Sequence, residues 1–176
     1  MTQLPKALML IAALGLAACT NGNRFNDDNM AGAGTGAGMG GVSGGIIPGS
    51  ANDPASPAYF SQTVGDRVLF AVDQSTLSPE ARATLDGQAQ WLTTNSDYLA
   101  VIEGHADEQG TREYNLALGA RRANAVMEYL ISRGIPSSRL KFISYGKERP
   151  IEICSDESCY AKNRRAVTVI SMGMTS

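Results

Sequence analysis

The chain predicts a small α/β (α+β) sandwich, with one mixed four-stranded sheet packed on two main helices. Three observations carry this expectation. Runs rich in β-branched and apolar residues recur at 66–72, 98–105, 140–146 and 166–172. Two stretches between the first three runs repeat their apolar residues at helical spacing. The order strand–helix–strand–helix–strand, closed by a last strand, lets helix crossovers place parallel strands beside each other.

Each element has a local signature. "DRVLFAV" (66–72) is a β-rich run. Ser78-Pro79 reads as a helix N-cap followed by proline at the first helical position, and Ala81, Leu85, Ala89 and Leu92 then share a face. "YLAVIEGH" (98–105) reads as a buried strand. From about Arg112, residues Leu116, Ala120, Ala123, Met127 and Leu130 recur at helical intervals. Gly134 stops that helix, with Pro136 two residues beyond. "LKFISYG" (140–146) alternates as a third strand, and "AVTVISM" (166–172) supplies the fourth.

The 176 residues suit one domain with appendages. From Phe60 onward there are 13 basic and 14 acidic side chains. Such a balance lacks the electrostatic footprint of a nonspecific nucleic-acid binder. The N-terminus differs in kind. "MTQLPKALMLIAALGLAAC" carries Lys6 and then an apolar run too short for a membrane-spanning helix, the pattern of a secretory signal over 1–18. Leu16-Ala17-Ala18-Cys19 resembles the bacterial lipobox, which implies cleavage before Cys19 and lipidation there. Thr20, not aspartate, follows it, which in such signals implies the outer membrane.

Residues 19–58 then read as a lipidated end and a flexible linker. Nine of the eighteen residues from Gly32 to Gly49 are glycine, too little apolar surface to offset ordering entropy. About 39 such residues reach roughly 35 Å on average and about 130 Å fully extended. The domain itself is expected over 59–176.

Cys154 and Cys159 form the remaining cysteine pair. The exported compartment favours a disulfide. Metal binding and redox chemistry are the alternatives, but the spacing is not C-x-x-C and no second pair completes four thiolates.

"EGHADEQGTREYNLALGARRANAV" (103–126) concentrates the polar chemistry. His105 and Asp107 in extended backbone point the same way and could pair as base and orienter. No nucleophile stands in a recognisable frame, and one histidine is poor for zinc. His105 is therefore expected as a strand-end residue hydrogen-bonded to the backbone. Arg121 and Arg122 fall on different faces of their helix.

The same stretch resembles the OmpA-like domain family, and within it the peptidoglycan-associated lipoproteins. The family frame D-x-x-G, N-x-x-L, R-A-x-x-V falls on Asp107, Gly110, Asn115, Leu118, Arg122, Ala123 and Val126. "FAVDQSTL" with Phe70 and Asp73, "SYGKERP" (144–150) and "KNRRAV" (162–167) agree with it. The resemblance implies an OmpA-like βαβαβ(β) fold and a binder rather than an enzyme, with no cofactor or metal. It implies noncovalent binding of peptidoglycan through the diaminopimelate side chain of the stem peptide. Asp107 would take the ammonium and Arg122 the carboxylate, while Val72 and Asp73 at the end of strand one, with Leu118, line the pocket. Asn115 would brace the loop. TolB and other Tol proteins are the implied partners, with the outer membrane reached through the lipid anchor and the domain in the periplasm. Service in another envelope complex without Tol partners is the alternative. Gln109 departs from the family's D-E-R-G by replacing a charge with a neutral amide.

One expectation is testable without any structure. Mass spectrometry of the mature N-terminus should find Cys19 acylated, and an unmodified N-terminus elsewhere would overturn the lipobox assignment.

Overall fold

A computed structural model describes residues 46–173. The expected signal segment, Cys19 and the glycine-rich stretch through residue 45 lie outside the described residues.

The described part begins with turns that fold onto the domain. Residues 50–58 fall within the expected linker, yet Ser56 is buried and its Oγ donates to Ser50 O at 2.6 Å. The reason lies in two aromatic side chains. Trp91 is buried, so its indole N–H needs an acceptor. Pro54 O supplies one at 2.7 Å, and Tyr98 OH donates to Ala55 O at 3.0 Å. Phe60 and Tyr98 flank Trp91, with ring centroids 4.9 and 5.1 Å from it. A short helical turn, α1 (Pro57–Tyr59), continues into one π-helical stretch over Phe60–Gly65.

Strand β1 (Arg67–Leu69) is shorter than the expected 66–72 run. Its partner explains this. Leu69 pairs with Arg165, the first residue of the last strand, so the ladder has nothing further to pair with. Phe70 N makes one more bond, to Arg164 O at 2.9 Å, and the chain then turns.

Helix α2 (Pro79–Thr94) starts where expected, Ser78 Oγ accepting from Ala81 N at 3.1 Å. Ala81, Leu85, Ala89 and Leu92 are all buried. Strand β2 (Tyr98–His105) leads to helix α3 (Arg112–Ser132) and then to strand β3 (Leu140–Gly146). Gly134, at φ +95°, and Ile135 N bonded back to Leu130 O close the end of α3. A second short helix, α4 (Glu157–Asn163), precedes strand β4 (Arg165–Met172). No helix was expected in the segment that holds α4. A seven-residue helix offers too few positions for its periodicity to show.

The sheet order is β1-β4-β2-β3. β4 runs antiparallel to both neighbours, and β2 and β3 are parallel across the α3 crossover. The sheet is mixed, as the element order requires. Val68, Ala100, Ile102 and Ala166 on the strands meet Leu85, Leu92, Val126 and Leu130 on α2 and α3 in one core. Each such side chain larger than alanine contributes about 1.5–3 kcal/mol when fully buried.

The buried face of α3 shares Ala123 and Leu130 with the apolar stripe in the sequence but departs from it in the first turns. Leu116 is 46% exposed, while Asn115, Gly119 and Arg122 are buried. Close approach of α3 to the sheet selects that face. A Cβ on Gly104 of β2 would lie 1.9 Å from Gly119 O, so helix and strand meet backbone to backbone. Ser144 Oγ of β3 ties the same contact by donating to Leu116 O at 2.7 Å. Gly104→Ala must therefore push α3 off the sheet. The expected cost is about 1–3 kcal/mol, a melting temperature lower by roughly 3–15 °C. Thermal denaturation followed by circular dichroism checks it.

Candidate functional site

Strand polarity brings four chain segments to one edge of the sheet. Leu69 ends β1 opposite Arg165 at the start of β4, Gly104 lies opposite Ala166, and His105 opposite Gly146. The loops after β1, β2 and β3 and the approach to β4 thus share one end. A cleft of about 210 Å³ opens there.

Val72, Asp73, Asp107 and Leu118 all line this cleft. Gln109, Gly110, Tyr114 and Asn115 complete its wall. Val72 and Asp73 lie in the loop past β1, not on the strand end as expected, because β1 stops at Leu69. Asp73 takes φ +56°, the left-handed region that aspartate tolerates better than most side chains. Tyr114 OH donates to Asp73 Oδ1. That carboxylate pushes the Tyr114 phenol above its usual value, since the neutral phenol is the hydrogen-bond donor. Asn115 Nδ2 donates to Gln109 O at 2.7 Å and so braces the loop from below. Gly110 makes the turn at φ +87°.

Asp107 is only 7% exposed and is held from two sides. Gln109 N donates to Oδ1 at 3.3 Å, and Arg164 Nη1 donates to Oδ2 at 3.1 Å in an ion pair that is itself buried. Arg164 is in turn paired with Glu157 of α4 through Nη2. The next carboxylate, Glu108, receives Asn163 Nδ2 on Oε1 at 2.6 Å. The "KNRRAV" run agrees with the family frame, yet no role was expected of Asn163 or Arg164. The available signal was three charged residues where a buried strand begins.

Arg122 stands behind the cleft and is not part of its wall. Its side chain is 0% exposed. Nε donates to Gln74 O at 2.8 Å, Nη1 to His105 O at 2.8 Å and Nη2 to Ala71 O at 3.1 Å. The guanidinium lies over the Phe70 ring, 5.2 Å from its centroid. Burial pushes it down to about 10, opposed by the Asp107 carboxylate, and it stays charged at neutral pH. Three of the five N–H groups of a guanidinium are thus committed to carbonyls, and two remain. The carboxylate-binding role expected of Arg122 is not laid out on the cleft surface. Arg121, its neighbour, stacks near Tyr114 instead, 6.0 Å from the ring centroid.

His105 was expected to hydrogen-bond the backbone. It is 2% exposed, and neither ring nitrogen has a hydrogen-bond partner among the described residues. Its ring packs against Tyr145 at 5.5 Å between centroids. Its Nε2 lies 3.8 Å from Glu103, yet burial and the nearby Arg165 and Arg149 push it down from 6.5 to about 4. It is a neutral packing residue and does not line the cleft. Cys154 and Cys159 are bonded to each other, with Cα atoms 6.0 Å apart. With Asp156 they bring three donor groups within 4.8 Å, but a disulfide offers no thiolate to a metal.

The OmpA family model matches residues 69–164. The peptidoglycan-associated lipoprotein of Rhizobium meliloti (strain 1021) is 49% identical over 166 residues, 94% of this chain and 87% of that protein. The chain belongs to the OmpA family, among the peptidoglycan-associated lipoproteins. A second member, from Pseudomonas aeruginosa, is 44% identical over 132 residues, 71% of this chain and 78% of that protein. The crystal structure of the peptidoglycan-associated lipoprotein from Burkholderia pseudomallei superposes with a TM-score of 0.61 at 37% identity, covering 69% of this chain and 98% of that one. The C-terminal domain of Helicobacter pylori MotB shares the OmpA-like fold at 22% identity and a TM-score of 0.57, over 62% of this chain and 86% of that one. Among the described residues, no helix is long and apolar enough to cross a membrane.

The buried histidine yields a pH dependence. With a folded value near 4 and an unfolded value near 6.5, the unfolded chain binds the extra proton between them. Stability from neutral His105 is full above pH 6.5 and is lost as pH falls toward 4. The loss is at most about 3 kcal/mol. Urea denaturation at stepped pH should show a steeper fall for the wild type than for His105→Gln over this window.

Proposed function

We propose that this domain binds peptidoglycan noncovalently by the diaminopimelate side chain of the stem peptide. The observation that carries the reading is the convergence of Asp73, Asp107, Val72 and Leu118 on one cleft, with a buried cation behind it. The side chain of diaminopimelate ends in an ammonium and a carboxylate on one carbon. Asp107 and Asp73 receive the ammonium, Asp107 oriented by Gln109 N and Arg164 and Asp73 by Tyr114. Arg122, buried behind the wall, draws the carboxylate through its charge, a role its geometry makes secondary to bracing. Val72 and Leu118 cover the methylene chain.

This is grip without turnover. The carboxylates lining the cleft are tied to Arg164 and Tyr114, and the one histidine faces elsewhere. The kinship with peptidoglycan-associated lipoproteins supports an envelope role for the whole chain. In it, a lipid on Cys19 holds the outer membrane while the domain, in the periplasm, holds the wall. Tol proteins, TolB first among them, are the partners this reading implies, and TolB should co-purify with the full chain from envelope extracts.

Sedimentation with purified sacculi tests the site. Asp107→Asn and Asp73→Asn keep size and backbone tolerance but remove a charge facing the ammonium. Each should weaken retention by about 30-fold, or 2 kcal/mol, for a charge-assisted bond lost. Equal retention by both folded variants would sink the assignment. Arg122→Met should instead lose stability as well as retention, because three carbonyls each lose a charged donor.

A further inference from the structure

Helix α4 has seven residues, too few to hold helical form alone. It is kept in shape by contacts within its own segment. Asp156 Oδ1 caps it by accepting from Ser158 N at 2.9 Å and Cys159 N at 3.2 Å. Asn163 Oδ1 at its other end accepts from Ile151 N at 2.8 Å and Glu152 N at 3.2 Å. The Cys154–Cys159 bond closes the turn that leads into it.

The end of this small unit holds the cleft loop. Asn163 Nδ2 reaches Glu108, and Arg164, steadied by Glu157 from the first turn of α4, reaches Asp107. Both carboxylates in sequence on the loop after β2 are therefore set by two adjacent residues at the exit of α4.

We propose that the Cys154–Cys159 disulfide is a positioning device for the ligand cleft. By locking α4 it fixes Asn163 and Arg164, which orient Glu108 and Asp107, so affinity for an ammonium-bearing ligand depends on the closed bond. The inference rests on the cleft's role in binding the stem peptide. Opening the bond frees the turn before α4 and lets the helix fray. Glu157 then no longer steadies Arg164, and the Asp107 carboxylate loses its fixed partner. The ring closed by the disulfide is short, so its effect on the unfolded chain is small. A large loss of affinity with a small loss of global stability is the signature that separates positioning from simple stapling.

The test uses the full chain carrying Cys19→Ala, so that one cysteine pair remains. The probe is a diaminopimelate-containing muropeptide, followed by titration calorimetry. Dithiothreitol delivers two electrons and two protons to the bond, giving two thiols while the reagent closes to its own cyclic disulfide. Reduction, verified by thiol alkylation and mass, should weaken binding about tenfold or more, and reoxidation should restore it. Cys154→Ser with Cys159→Ser should bind like the reduced form, with the melting temperature lowered by only a few degrees or so. Arg164→Lys, which keeps the charge, should bind more tightly than Arg164→Met. Reduced protein binding within about twofold of oxidised would overturn the proposal. Unfolding of the whole domain on reduction would also overturn it, since the bond would then be a staple. Failure of the oxidised protein to bind at all overturns the proposed function itself, a separate result.

Discussion

One buried guanidinium organises the binding end of this domain. Arg122 projects from α3 into the space between the β1–α2 loop and the end of β2, and three backbone carbonyls, from Ala71, Gln74 and His105, close on it. A charge this deep is tolerable only because its donors are met and two carboxylates stand nearby. The bonds also answer a second need. The loop after β1 has run out of ladder partners, so its carbonyls turn to other donors, Gln74 O to Arg122 and Ala71 O to both Arg122 and Gln74 N. The same residue thus places Val72 and Asp73 opposite Asp107 and Leu118, and the cleft exists because they are held there.

A second arginine works from the other side. Arg164 bridges Glu157 and Asp107, so the acidic wall of the cleft is anchored to α4 as well as to the sheet. The two arginines and the carboxylates between them form an alternating set, and their charges offset one another at close range. Such a set gives a small cleft fixed negative groups without the repulsion that two bare carboxylates would bring. Its specificity comes from orientation, since Asp107 is held at both oxygens by Gln109 N and Arg164 and Asp73 at Oδ1 by Tyr114.

The gap between α3 and the sheet shows why the sequence was legible in some places and opaque in others. Ser78-Pro79, the Ala81-Leu85-Ala89-Leu92 stripe and Gly134-Pro136 were readable because capping and helical periodicity act within a few residues of each other. Part of the buried face of α3 was not: Gly119, where helix and strand touch, and Arg122, whose burial depends on carbonyls some 17 to 51 positions away. His105 escaped for a related reason. Its ring is enclosed by Tyr145 and Arg165 from other strands, and local sequence cannot say that neither nitrogen will meet a partner.

From the sequence alone came the fold class, the order of the four strands and two main helices, and Val72, Asp73, Asp107 and Leu118 as sharers of one cleft, because hydrophobic period, caps and a family motif are properties of short stretches. Tertiary structure alone decided which groups are presented and which are spent. Asp107 and Asp73 face the cleft, while Arg122 gives three of its donors to the backbone and Arg164, given no role by the motif, takes the position beside Asp107. The physical reason is that a side chain's free valences depend on every polar group packed around it. Those neighbours arrive from β1, β2, α4 and β4 together, and no single stretch of the chain contains them.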